Sequence, residues 1–173
     1  LQTLALTGVI PPALEDRWTM EERNLLLHDG IATFMVQAGD VVAIERQVTM
    51  YQTNRWGMPD PSYLDVNTPA TLGYIRYATR ARILQKYPRH KLASDGTRYG
   101  AGQAIVTPSV IRGELLALYR ELEEAGIVEN FDQYKADLIV ERNANDRNRV
   151  DVLAPPDLVN QFRIFAMKTM YVL

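Results

Sequence analysis

The chain has 173 residues, a formal net charge of -2, 47% hydrophobic and 23% charged residues. That length supports one main core with appendages, and the composition excludes both a disordered chain and a fibrous repeat. The absence of cysteine removes disulfides, thiol catalysis and cysteine-ligated zinc, and no apolar run approaches the roughly 20 residues that would span a bilayer.

Residues 1–10 are apolar and strand-like, and the chain opens on Leu1 without Met. This reads as part of a longer protein, and with no charged stretch ahead of an apolar one, neither export nor membrane insertion is expected and production is cytoplasmic. Thr19 lies three residues before Glu22, the spacing of a capping box, so a short helix is predicted to about Asp29, closed by Gly30. Residues 31–36 and 41–51 are rich in β-branched and apolar side chains around a turn at Ala38, Gly39 and Asp40, which predicts a hairpin. Residues 53–67 hold Asn54, Gly57, Pro59, Asp60 and Pro61 and read as an irregular surface loop with Trp56 as an anchor.

Two helices announce themselves alike. Thr68-Pro69 and Thr107-Pro108 each pair a capping hydroxyl with a proline suited to the first helical turn, and each cap is expected to contribute about 1 kcal/mol. The first, to about Tyr87, carries Leu72, Ile75 and Ile83 on one flank and Tyr74, Tyr77, Ala81 and Leu84 on another, so partners on two sides are expected. The second places Ile111, Leu115, Leu118, Leu122 and Ala125 on one stripe, ends at Gly126, and should pack on a sheet. Between them, residues 88–106 form a turn-rich, mobile connection. The tail reads as strands over 136–142, 149–153 and 161–172, giving an α+β fold with a mixed or antiparallel sheet against two to three helices.

Catalytic signatures are absent from the pattern. Ser62, Ser94 and Ser109 lack a nucleophile-elbow frame. His28 and His90 have no metal-ligand spacing, and His28 suits a helix end, where an imidazolium complements the dipole. Glu21-Glu22 and Glu123-Glu124 are adjacent pairs that diverge on a helix and cannot share a substrate. Gly100-Ala101-Gly102 lacks the lysine and preceding strand of a phosphate loop. No catalytic, cofactor-binding or metal-ligating residue is assigned, and no cofactor is expected.

Charge is unevenly placed. Residues 68–92 hold Arg76, Arg80, Arg82, Lys86, Arg89 and Lys91 and no acid, summing to +6, whereas residues 109–132 carry two Arg against five Glu and one Asp, summing to -4. Two readings compete: the helices lie against each other or meet across subunits, or the basic segment binds nucleic acid through phosphates and stacking tyrosines. The acidic overall balance favours the first, so neither nucleic acid nor membrane is expected as a partner.

Particular stretches carry a resemblance: Gly30-Ile31-Ala32-Thr33, then Val42-Ala43-Ile44-Glu45-Arg46-Gln47-Val48-Thr49, then Tyr63-Leu64-Asp65-Val66-Asn67-Thr68-Pro69, and Arg149-Val150-Asp151-Val152 followed by Pro155-Pro156-Asp157-Leu158-Val159-Asn160-Gln161. In this order they resemble the C-terminal, conserved part of contractile phage tail sheath proteins of the Mu-like family, from about Leu6 onward. Residues 53–67 and 88–106 are similar only to the Mu-like subset.

The resemblance implies a structural subunit without catalytic residues. Such a subunit polymerises helically around a tail tube and contracts to drive the tube through the host envelope for genome ejection. It also implies a virion location after assembly in the host cytoplasm, and a tube protein, baseplate and tail terminator as partners. An R-type tailocin or a type VI secretion system sheath is the related alternative. The implied organisation is an arm over residues 1–18, a conserved domain over 19–159, and a terminal strand over 160–173 donated to a neighbour or paired at home. Phe162, Ile164, Phe165, Met167 and Met170 are the candidate intersubunit contacts, and Arg76, Arg80 and Arg82 the candidate charge-complementary surface.

Overall fold

The computed structural model describes residues 1–171, and its contacts divide the chain into two compact units, Leu1–Tyr74 and Ile75–Leu173. In the first unit a 3-10 turn at Leu14–Asp16 leads to helix α1 (Met20–His28). Its start is the predicted capping box: the Glu22 amide donates to Thr19 Oγ1 (3.3 Å) and the Thr19 amide donates to Glu22 Oε2 (2.7 Å). That contact also holds the Glu22 carboxyl below its ordinary range, with the Thr19 amide as the largest cause.

The hairpin joins β1 (Thr33–Gln37) to β2 (Val41–Arg46) in antiparallel register, Val36 opposite Val42 and Met35 opposite Ala43. Its turn uses the left-handed region at Gly39 and Asp40. Val42, Ala43 and Ile44 are all buried, although successive strand residues face opposite sides. The reason lies on the other edge of β2, where the N-terminal stretch runs alongside. The Thr3 amide donates to Ile44 O and the Leu6 amide to Val42 O, both at 2.8 Å, and the Ile44 amide returns a bond to Leu4 O at 2.9 Å. The strand-like N-terminal residues therefore pair within their own unit, and β2 lies between them and β1.

β2 ends at Arg46, short of the predicted residue 51, because the chain then pairs only through isolated bridges, Val48 with Asp65 and Thr53 with Pro59. The loop tip is braced by Asn54, whose Oδ1 accepts from the amides of Trp56 (3.0 Å) and Met58 (3.2 Å). Trp56 itself is 72% exposed with Arg55 stacked on it, so it anchors nothing in its own unit.

Helix α2 (Asn67–Lys86) begins in the first unit and continues into the second. Thr68 and Pro69 lie inside its first turn, so Thr68 is not the cap predicted for it. In the second unit the predicted mobile connection contains a short parallel ladder, β3 (Lys91–Leu92) with β4 (Ile105–Val106). Helix α3 (Pro108–Glu124) buries Ile111, Leu115, Leu118, Tyr119 and Leu122, so the predicted stripe gains a tyrosine and loses Ala125, which caps the helix and is exposed. Thr107 makes no side-chain cap bond. Asp95 replaces it from the connecting loop, its Oδ1 accepting from the Ser109 amide at 3.0 Å, and the Ser109 contacts hold the Asp95 carboxyl below its usual range.

The remaining elements are β5 (Val128–Glu129), α4 (Phe131–Asp137), β6 (Ile139–Arg142), β7 (Val150–Leu153) and β8 (Asp157–Leu158). The predicted strand at 136–142 thus gives its first two residues to α4. The core of this unit joins Val106 and the α3 stripe to Val128, Tyr134 and Leu138, with Ile75, Ala78 and Ile83 of α2 packed against it. Tyr134 stacks on Tyr119 with ring centroids 3.7 Å apart. Burial, and then the neighbouring Tyr119, pushes the Tyr134 phenol up to about 12. The α+β class stands, but in place of one sheet the described residues form four two-stranded ladders, three antiparallel and one parallel. Several of these strands are only two residues long, too short to build a continuous sheet.

Candidate assembly surfaces

The C-terminal strand predicted for 161–172 does not form within the chain. Residues 161–171 belong to no ladder, and Val172 lies outside the described residues. Phe162 and Ile164 are each 82% exposed, and Phe165, Met167 and Met170 fall between 74% and 79%. Both side-chain parities are therefore bare, where a strand packed in its own domain would bury at least one.

The root of this tail is fixed. β8 pairs with β5, Leu158 opposite Val128 and Asp157 opposite Glu129, and the Val159 amide donates to Ile127 O at 3.2 Å. The buried Tyr119 hydroxyl joins both strands: it donates to Glu129 O (2.6 Å) and accepts from the Asp157 amide (3.2 Å). Nothing in the α3 periodicity distinguishes Tyr119 from a packing residue, so this clamp was not legible in the sequence.

The opposite charges of α2 and α3 are partly explained inside the second unit. Arg82 Nη1 donates to Glu114 at 3.0 Å, its Nη2 pairs with Glu121, and Lys86 Nζ reaches Glu114 at 2.8 Å. Lys86 first, and then Arg82, hold the Glu114 carboxyl below its normal range against the opposing effect of burial. Of the candidate basic surface, Arg82 is thus engaged at home, and Arg76 and Arg80 stay exposed. Beside them Tyr77 is 70% and Leu84 56% exposed, so the outer flank of α2 presents apolar and cationic groups together.

A cleft of about 580 Å³ is lined by Arg120, Glu123, Glu124, Phe131 and Asp132, with Arg120 lying over the Phe131 ring and Glu123 accepting from the Phe131 amide. Arg120 and Glu123 are thereby engaged in holding α4. The paired carboxylates Glu21-Glu22 and Glu123-Glu124 diverge as expected: in each pair one member caps a helix and the other faces solvent. Among the described residues no cluster of three or more His, Asp or Glu could hold a metal ion, and no helix is long and apolar enough to cross a membrane.

Comparison with known proteins assigns these surfaces a context. Residues 58–171 match the phage tail sheath protein C-terminal domain and residues 1–50 its central domain. The chain is 54% identical to a Mu-like prophage tail sheath protein of Haemophilus influenzae, over all of this chain and 35% of that protein. In three dimensions it is similar to a sheath tail protein from Listeria innocua, with a TM-score of 0.69, 19% identity, and coverage of 92% of this chain and 34% of that one. A sheath tail protein from Desulfitobacterium hafniense has a TM-score of 0.64 and 15% identity over 94% of this chain and 34% of that one. An anti-feeding prophage baseplate chain has a TM-score of 0.63 and 9% identity over 99% of this chain and 44% of that one. The chain spans about a third of the length of the curated relative it matches.

Proposed function

The chain belongs to the phage tail sheath family, and on that premise we propose that its parent protein is a structural subunit that polymerises helically around a tail tube. Contraction of that polymer would drive the tube through the host envelope. The reading is non-enzymatic, places the protein in the virion tail, and gives it the tube, the baseplate and the tail terminator as partners. The observation that carries the assembly role is the tail. Five large apolar side chains on both parities stay bare while the segment's root is clamped by β5, β8 and Tyr119.

An exposed apolar segment of this kind invites aggregation unless an edge receives it, and strand addition to a neighbouring subunit is the controlled form of that pairing. The contact is heterologous, and where its rotation does not close a ring, repetition gives the open helix a sheath needs. Arg76 and Arg80 add a charge-complementary surface for a neighbouring protein.

Electron microscopy of the parent protein expressed alone tests this: regular hollow tubes are expected. Truncation after Val159 is expected to leave a soluble folded subunit that no longer polymerises. Loss of the folded subunit on truncation would return the tail to the domain core, and soluble monomers that bind DNA in a salt-dependent way would replace the sheath reading altogether.

A further inference from the structure

The two units carry opposite net charge. Leu1–Tyr74 holds nine carboxylates against four arginines, a net of -5, and Ile75–Leu173 holds fifteen bases against twelve acids, a net of +3. Within the described residues part of the unpaired charge of each unit lies beside exposed apolar side chains on or next to a helix. In the first unit Glu15, Glu21 and Asp29 have no side-chain partner, and among them Leu14 is 77%, Met20 74% and Leu25 65% exposed. In the second unit Arg76 and Arg80 likewise have no partner and flank Tyr77 and Leu84. Glu21 and Asp29 are eight residues apart, about 12 Å along a helical axis, and Arg76 and Arg80 four residues, about 6 Å, a difference that the long, flexible arginine side chains can span.

Resting on the sheath reading, we propose that the α1 flank of one copy docks against the α2 flank of the next copy, apolar centre to apolar centre, with Glu21 and Asp29 facing Arg76 and Arg80. The occupant of the basic face is therefore a second copy of this chain and not the tube. The two flanks are different surfaces, so the contact is head-to-tail, and it builds an open helix where its rotation does not close a ring. Complementary charge across such a contact sets register and suppresses wrong pairings, while the exposed tyrosine and leucines supply the buried area. The flanks are small by the standard of a stable dimer, which suits one contact among several in a polymer, where each subunit is already held near its neighbours.

The test uses the full-length parent protein. Reversal of one face, Arg76→Glu with Arg80→Glu or Glu21→Lys with Asp29→Lys, is expected to lower the sedimentable polymer about tenfold, because like charges then meet across the contact. All four substitutions in one chain should restore assembly to within about twofold of the unmodified protein. Circular dichroism of each unassembled variant confirms folding. A second measurement mixes subunits carrying only Leu25→Cys with subunits carrying only Tyr77→Cys, any native cysteines having been replaced, so that a disulfide can join the two types only between copies.

A mixed disulfide and the charge rescue together are the expected result. Failure of the four-fold variant to recover, or absence of the mixed disulfide in polymers that do form, overturns the contact and leaves the sheath reading intact. Reversal of Arg76 and Arg80 that spares tube-free polymer and abolishes only decoration of purified tubes makes the tube the occupant. An unmodified parent that forms no polymer removes the sheath reading, and this contact with it.

Discussion

Tyr119→Phe isolates the clamp at the root of the tail. The substitution removes one oxygen and keeps the ring, so the stack on Tyr134 survives and the loss is confined to the bonds with Glu129 O and the Asp157 amide. Both partners lie on the short ladder between β5 and β8, which has only two residue pairs of its own. A buried polar group left without its partner costs about 1–3 kcal/mol. A loss near 1.5 kcal/mol corresponds to about a tenfold rise in the population of the open ladder. Amide exchange read residue by residue is the assay. The amides of Glu129, Asp157 and Val159 should exchange about tenfold faster, while the buried turns of α3 change only by the drop in global stability. Equal acceleration throughout the second unit would show that the hydroxyl supports the core as a whole, and no acceleration at β8 would remove the clamp.

Leu118 is almost fully buried on the α3 stripe, so Leu118→Ala should lower the unfolding free energy by about 2–5 kcal/mol through the cavity it leaves, read by urea denaturation. Gly30 has φ +76, and a Cβ there would sit 3.0 Å from Met50 Cα and 3.1 Å from Thr49 O. Gly30→Ala should cost about 2–3 kcal/mol, since both obstacles are backbone atoms and the conformation itself disfavours alanine. The folded-state pKa of Glu114 lies below its unfolded value, so its contribution to stability is complete above about pH 4.3 and is lost as pH falls through the lower folded value. Urea midpoints measured from pH 6 down to pH 3 should therefore fall less steeply for Glu114→Gln than for the unmodified chain, starting from a lower plateau.

What the sequence reveals and what it hides follow from the range over which each feature is determined. The α1 capping box and the stripe of α3 are local, set by spacings of three and four residues, and both form, the stripe without its last predicted member Ala125. Gly30 was legible as a helix end and as the start of a family motif, but the close approach of Met50 behind it depends on chain from twenty residues away. The cap of α3 escaped because Asp95 arrives across a loop, and a hydroxyl ahead of a proline imitates the local signal. Helix α4 has seven residues, too few to show a period, and it starts from a left-handed Asn130. The site divided in the same way. The two-sided apolarity of the tail left donation and pairing at home both open, and the Tyr119 clamp was hidden because it joins residues 38 positions apart.

The same magnitudes decide what kind of partner the tail requires. Ordering residues 160–171 costs about 18 kcal/mol at roughly 1.5 kcal/mol per residue. Burying five large apolar side chains returns about 10 kcal/mol at about 2 kcal/mol each. A greasy surface alone therefore leaves the tail unbound. Backbone hydrogen bonds along an open strand edge, at about 1 kcal/mol each, supply nearly all of the remaining 8 kcal/mol. The receiving element must then be a strand edge with apolar recesses on both faces, and the near balance of the terms keeps each donated strand individually weak. Donation becomes stable only where other contacts already hold the donor beside the acceptor, and a charge-registered contact between α1 and α2 of successive copies would do that. The tail and the charged flanks are on this account one device: the flanks set the neighbour's position, and the tail then joins it.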